Sequence, residues 1–230
     1  MSHKRATVIL VHGAWHGSWC WRRLIPLIEQ RGIEVLAPDL PSVGGTDAEN
    51  LSSDAQAVCA LAEPAEGPVL LCGHSYGGMV ISLAASLSNT VTRLVYLCAF
   101  MPEDGQSLAE IGGGRLAPWI RQFDDGTALP DLERAGDLFY ADCDPATRAW
   151  AVAQLRRQRV AAYAEPVPAP AWKQIDSTYI VCSEDRALPP DLQRGLFAPR
   201  AARTLELNSS HSPFLSQPAA LAELLASIAT

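Results

Sequence analysis

Six short runs of aliphatic and β-branched residues recur along the chain, most of them followed by a longer stretch with helical spacing. This alternation constrains the fold more than any other feature. The runs are Thr7 to Val11, Glu34 to Ala37, Val69 to Cys72, Arg93 to Leu97, Thr178 to Cys182 and Thr204 to Leu207. Each is short and apolar, as expected for strands covered on both faces. Strands separated by helices favour a parallel sheet with helices on both sides, an α/β fold. The helical patterns lie at Trp19 to Arg31, Ser53 to Ala62, Tyr76 to Leu87, Pro189 to Phe197 and Pro218 to Ile228. Ser53 or Asp54 is the expected cap of the second. The last two open on proline, whose missing N–H costs nothing in a first turn.

One stretch breaks the alternation. From Pro102 to about Trp172 there is no strand pattern, only two or three helical segments, a Gly112-Gly113-Gly114 run and a proline-rich exit at Pro166, Pro168 and Pro170. Its place between the fourth and fifth strands predicts a small helical lid, 102–172, inserted into a core of 1–101 and 173–230, one structural domain overall. Ten Asp or Glu against four Arg between Pro102 and Trp150 read as solvated helix faces. Of the aromatics Trp119, Phe123, Phe139, Tyr140, Trp150 and Tyr163, about half should line a pocket, with Trp119 and Trp150 taken as substrate-binding candidates.

Composition excludes several classes. A chain of 230 residues with net charge −7 does not present the basic face that nucleic acid requires. With only two lysines, Lys4 and Lys173, a polybasic membrane anchor is not expected either. The opening MSHKRATVIL is too short for a signal peptide and lacks a cleavage site; no run of 18 apolar residues exists. A soluble, cytoplasmic protein is expected. Its six cysteines should then be reduced thiols, and none has zinc spacing. Monomer and homodimer are both open.

Gly73-His74-Ser75-Tyr76-Gly77-Gly78 carries the chemistry. G-x-S-x-G between the strand VLLC and a helix forms a sharp turn that lifts the serine to the C-terminal edge of the sheet, beside the positive end of a helix dipole. A serine hydroxyl needs a base. Of His3, His12, His16, His74 and His211, only His211 lies beyond the serine and free of its turn, just after the last strand. The base in turn needs a carboxylate. Among Asp176, Glu184, Asp185 and Asp191, the two that follow the strand YIVCS are Glu184 and Asp185, and the loop position favours Asp185. Negative charge developing on a carbonyl oxygen needs backbone donors. Tyr76, after the serine, supplies one N–H; Ala14, after the close turn that Gly13 allows, supplies the other. Trp15 either walls the pocket or packs into the core. His16 either touches substrate or braces the loop, and His12 braces it.

VILVHGAWHGSWCW, GHSYGG, LVYLCAFMP, VCSEDRALPP and HSPFLSQP together resemble the α/β-hydrolase superfamily, in particular its branch of plant methylesterases, hydroxynitrile lyases and related bacterial esterases. The resemblance runs in order from about residue 7 to 220, with the lid least matched. It implies the α/β-hydrolase fold, a Ser75, Asp185 and His211 triad, an oxyanion hole of the Ala14 and Tyr76 N–H groups, and no cofactor or metal. The plant lyases carry threonine after the first histidine and lysine after the catalytic one; here those places hold Gly13 and Ser212. Without the lysine's charge to receive cyanide, ester hydrolysis is favoured, and the acidic, aromatic lid suggests a small, neutral, fairly apolar ester over a polyanionic one. A lactonase or carbon–carbon lyase with the same triad, and a ligand receptor on the same fold, are the alternatives.

Overall fold

A computed structural model describes residues 5–44 and 49–229. The expectations placed on His3 and Lys4 lie outside the described residues. Six strands, β1 (Thr7–Val11), β2 (Glu34–Leu36), β3 (Val69–His74), β4 (Val91–Leu97), β8 (Ser177–Cys182) and β9 (Arg203–Leu207), form one sheet in the order β2-β1-β3-β4-β8-β9. Every pairing is parallel. Residues 8–11 of β1 and 69–72 of β3 are buried throughout, which is why these segments carry no polar alternation. The expected six-strand parallel sheet is present, with bounds shifted by a residue or two. Because all six strands run the same way, the loops after β1, β3, β8 and β9 gather at one edge.

The helices differ from expectation in ways local chemistry explains. The pattern at Trp19 to Arg31 is a 3-10 turn, Ser18–Arg23, followed by α1 (Ile25–Glu29). Pro26 sits in the first turn of α1; it has no N–H for a continuous ladder, so the helix restarts there. Neither Ser53 nor Asp54 caps α2 (Leu51–Ala62). Asn50 does, accepting from the Ser53 N–H at 3.1 Å, while the Ser53 hydroxyl answers the Asn50 N–H at 2.9 Å. That reciprocal box frees Asp54 to point inward. The helix after β3 is α3 (Gly77–Ala84), with Tyr76 at its N-cap. The segment after β8 is a short α8 (Pro190–Leu192) running into a π-helical turn, Gln193–Phe197. The chain closes with α9 (Pro213–Ser216) and α10 (Pro218–Ala229).

Between β4 and β8 the chain makes α4 (Leu108–Ile111), β5 (Ile120–Gln122), β6 (Thr127–Pro130), α5 (Leu132–Phe139), α6 (Pro145–Gln154), β7 (Gln158–Arg159) and α7 (Ala161–Ala164). The segment is therefore not purely helical: β5, β6 and β7 form a separate antiparallel sheet. These strands of three, four and two residues are too short to show a two-residue period, and Pro130 masks one of them. The stretch at Arg156 to Arg159 is stitched to the core. Arg156 N–H donates to Trp15 O at 2.9 Å, Gly44 N–H to Arg157 O at 2.8 Å and Arg159 N–H to Ser42 O at 2.9 Å.

Candidate active site

Ser75 follows β3 in a turn that sterics dictate. Its φ is +52°, in the left-handed region that a non-glycine residue enters at a cost of about 1–3 kcal/mol. The conformation is held from both sides: Ser75 N–H donates to Leu97 O at 3.3 Å, and its carbonyl accepts from Gly78 and Phe100 at 3.1 Å each. The flanking glycines are required by close approach. A Cβ on Gly73 would stand 2.4 Å from Gly77 O, and one on Gly77 would stand 2.5 Å from Val11 O.

His211 follows β9 and is buried. Its Nδ1 bonds Asp185 Oδ2 at 2.6 Å. With that proton committed to the carboxylate, Nε2 is the free basic nitrogen. Asp185 is itself fully engaged. Oδ1 accepts from Ala187 N–H at 2.8 Å and Leu188 N–H at 2.9 Å, and Oδ2 also accepts from Gln193 Nε2 at 3.0 Å. Gln193 is locked in turn, donating to Leu188 O at 2.6 Å and accepting from Cys182 N–H at 3.1 Å. The rival acids lie elsewhere: Glu184 is exposed, Asp176 sits 4.0 Å from Arg93 and Asp191 approaches Arg194 at 3.8 Å.

Two further groups hold the His211 loop. His74 Nε2 donates to His211 O at 2.8 Å; burial pushes its pKa well below the usual imidazole value, so it stays neutral. Asp142, between α5 and α6, accepts from Ser210 N–H at 3.0 Å, from Ser209 Oγ at 3.2 Å and from the Ser210 hydroxyl. Partial burial works to raise its pKa, but the donors from Ser210 and its neighbours outweigh burial and the net shift is downward.

The loop after β1 is set by rigid peptide planes. In a trans peptide the C=O and the following N–H point opposite ways. His12 Nδ1 donates to Gly13 O at 2.9 Å, and this fixes where the Ala14 N–H points. His12 Nε2 accepts from Leu40 N–H at 3.0 Å, so one tautomer serves both bonds. Next along, His16 Nδ1 donates to Ala14 O at 2.7 Å and accepts at Nε2 from Tyr140 OH at 2.8 Å. Burial lowers the pKa of His12 to about 4 and of His16 to about 3, keeping both neutral. Both nitrogens of His16 are thus used as braces.

Ser75, His211, Ala14 and Tyr76 open onto one cavity of about 270 Å³. Trp15, Trp119, Phe139, Tyr163 and Leu188 form much of its wall, His16 also borders it, and Arg115 is its one Lys, Arg, Asp or Glu side chain. Trp15 stacks with Phe139 at 6.0 Å and meets Trp119 edge-on at 5.8 Å. Trp150, expected to line the pocket, is absent from it. It packs edge-on against Trp19 at 5.3 Å, with the Arg22 guanidinium 4.1 Å above its ring. Of the six aromatics expected in a lid, Trp119, Phe139 and Tyr163 border the cavity, while Phe123, Tyr140 and Trp150 do not. One candidate metal group occurs among the described residues: ligand atoms of His74, Cys98 and His211 within 4.8 Å of one another. Burial pushes the Cys98 thiol well above its usual range, and His211 Nδ1 is already bonded, so the trio offers no ready anionic ligand.

Sequence reasoning missed Gln193 and Asp142. Gln193 stood inside a helical pattern and Asp142 among acids read as solvated. Gln193 acts across the loop after β8, on Asp185, Leu188 and Cys182, and Asp142 on Ser209 and Ser210 far along the chain; neither contact is marked by helical spacing.

The alpha/beta hydrolase family matches residues 8–224, and the chain belongs to it. A pyrethroid hydrolase of Sphingobium wenxiniae (strain DSM 21828 / CGMCC 1.7748 / JZ-1) is 30% identical over 243 aligned positions, 96% of this chain and 87% of that protein. Putative methylesterase 11, chloroplastic, of Arabidopsis thaliana is 30% identical over 247 positions, 96% of this chain and 63% of that one. The crystal structure of the pyrethroid hydrolase PytH with BIF superposes with a TM-score of 0.82 at 28% identity, covering 98% and 97% of the two chains. Relatives of this chain are thus esterase-type α/β-hydrolases, including methylesterases and bacterial enzymes, as the resemblance implies. No helix among the described residues is long and apolar enough to cross a membrane.

Proposed function

We propose that this α/β-hydrolase is a serine esterase acting on a small, fairly apolar carboxylic ester. Ser75 Oγ attacks the ester carbonyl while His211 Nε2 takes its proton. Asp185 holds the imidazole and stabilises the imidazolium. The tetrahedral oxyanion rests on the N–H groups of Ala14 and Tyr76. Collapse expels the alcohol, which receives the proton from His211, and leaves an acyl group on Ser75. Water, deprotonated by His211, then releases the acid. The observation that carries the reading is the 2.6 Å Asp185–His211 bond, whose imidazole shares one apolar cavity with the Ser75 turn.

The cavity supports the substrate class. A wall of aromatic and aliphatic side chains favours a neutral ester of modest size. Ser212, uncharged and buried, follows His211, so no ammonium is available there to receive a departing cyanide; this favours hydrolysis over cyanohydrin cleavage. We take residues 102–172 as the lid over the site, and six free cysteines support a reducing, cytoplasmic setting. The test is an ester panel varying acyl length and alcohol size, run beside Ser75→Ala and beside a cyanohydrin and a lactone. Turnover of aryl or short alkyl esters that Ser75→Ala abolishes supports the reading. Binding without turnover, or preferred cleavage of the cyanohydrin, contradicts it.

A further inference from the structure

A second buried polar cluster stands behind the reacting groups, and the triad does not use it. Asp54, on the inward face of α2, is fully buried. Its Oδ2 accepts from Tyr76 OH at 2.7 Å and from Ser42 Oγ at 2.6 Å, and its Oδ1 accepts from Ser42 N–H at 2.9 Å. Ser42 Oγ in turn accepts from Gln158 Nε2 at 2.9 Å. Gln158 Oε1 accepts from Trp15 N–H at 3.1 Å and from Tyr163 OH at 2.9 Å.

The direction of every bond is determined. Trp15 N–H and Tyr163 OH reach the amide of Gln158 from one side, so its oxygen faces them and its NH2 faces Ser42. Ser42 Oγ then accepts from Gln158 and gives its own proton to Asp54, as Tyr76 does. All the protons run toward one carboxylate. The two ends of the network are the two arms of the proposed oxyanion hole. Tyr76 contributes its own N–H to the hole while its phenol is tied to Asp54. Trp15, with Ser75 and Cys98 one of three left-handed non-glycine positions among the described residues, at φ +63°, follows Ala14 directly, and its N–H is tied through Gln158.

We propose that Asp54 is a positioning residue for the oxyanion hole: its carboxylate fixes the Tyr76 and Trp15 arms relative to each other through Ser42 and Gln158. The inference rests on the serine-esterase reading. An asparagine or a protonated acid at residue 54 must donate where the carboxylate only accepts. Either Tyr76 OH and Ser42 Oγ lose their shared acceptor, or the new donor is set against the Ser42 N–H, and in both cases the arms are no longer held by one group. Burial is the main force on Asp54, aided by the nearby Glu49 carboxylate and opposed by the donors from Ser42 and Tyr76; together they push its pKa up to about 6. Glu49 before α2, Tyr76 at the start of α3 and Tyr163 on α7 are the titratable groups that face this network, and the carboxylate form prevails at pH 8.

The experiment compares wild type, Asp54→Asn, Tyr76→Phe and the double variant at pH 8, each as the full chain, with active sites counted by fluorophosphonate titration. Tyr76→Phe removes only the phenol oxygen and keeps the N–H, so it decides the matter even where Asp54→Asn folds poorly. The expected result is a kcat per titrated site lowered about tenfold or more, with KM within about twofold. Affinity for a trifluoromethyl ketone, whose adduct carries an oxyanion, falls in parallel. The double variant is no worse than Asp54→Asn alone, because both act on one network. A merely structural role changes the titrated fraction and melting temperature but leaves kcat per site intact, and that result overturns the inference. Wild type that fails to label at Ser75 overturns the esterase reading and this inference together; labelled wild type with insensitive variants overturns this inference alone.

Discussion

The rim of the sheet and the segment inserted between β4 and β8 solve different problems. At the rim, the serine turn, Asp185 and His211 are each held by several hydrogen bonds, and Gly73 and Gly77 lie where a single added carbon would meet backbone oxygen. In the inserted segment, the wall facing the cavity is apolar but for Arg115, and Gly113 and Gly114 turn through open space at φ +73° and +74°. Substitution at the rim should therefore strike the chemical step. Substitution of the insert's cavity-facing Trp119 and Phe139 should strike which substrate is chosen.

The largest effect expected is at the rim. Asp185→Asn keeps the shape but offers His211 a donor where it needs an acceptor, so kcat should fall about 10³- to 10⁴-fold with KM little changed. Steady-state kinetics on one ester checks this; a loss under tenfold breaks the comparison. Gln193→Ala, which removes one of the bonds holding Asp185, should lower kcat about tenfold, equivalent to about 1.4 kcal/mol. In the insert, Trp119→Ala and Phe139→Ala should each change kcat/KM between a bulky and a small ester by about 10- to 100-fold, leaving kcat on the small ester within a few-fold. If those variants lower all substrates equally, the wall is not selective.

The sheet was legible because β1 and most of β3 are unbroken apolar runs, as fully buried parallel strands demand, while the edge strands β2 and β9 keep Glu34, Arg203 and Glu206 among fewer apolar residues. That Ser75 and His211 border one cavity was legible because a strand-turn-helix motif and the chain order that accompanies it leave few candidates, and the Asp185–His211 contact because only Asp185 and Glu184 directly follow a strand in that interval. The insert was less legible for physical reasons. β5, β6 and β7 are shorter than one recognisable period. Trp119 and Trp150 have the same chemistry, and only the path of the chain sends one to the cavity and the other to Trp19 and Arg22. Asp54 could be read as a helix cap, since Asx residues prefer that place, but Asn50 occupies it and turns Asp54 inward.

Asp54 also gives a stability test of the boundary between the two regions. Its folded pKa, about 6, lies above the ordinary 3.8. The folded state therefore holds the proton more tightly, and that contribution is present below about pH 3.8 and lost as pH rises through 6. Keeping the carboxylate ionised at pH 8 costs about 3 kcal/mol on this account. Asp54→Asn should then melt no lower than wild type at pH 8 while turning over more slowly, and its advantage should shrink between pH 6 and 4. Buried neutral His12 and His16 act the opposite way, favouring the fold above pH 6.5 and losing that support as pH falls toward 4 and 3; they are common to both chains and cancel in the difference. The smallest effect expected is from Gly113→Ala, a loss of about 1 kcal/mol in denaturant unfolding from the left-handed backbone alone, with kcat unchanged.

The central claim is that Ser75 is the nucleophile and that His211, oriented by Asp185, makes it one. Labelling with a fluorophosphonate at pH 8, located by peptide mass spectrometry, tests it most directly. The account predicts one adduct per chain on Ser75, formed at least about 10³-fold more slowly in His211→Ala. An adduct on another residue, or a labelling rate indifferent to His211, would contradict it.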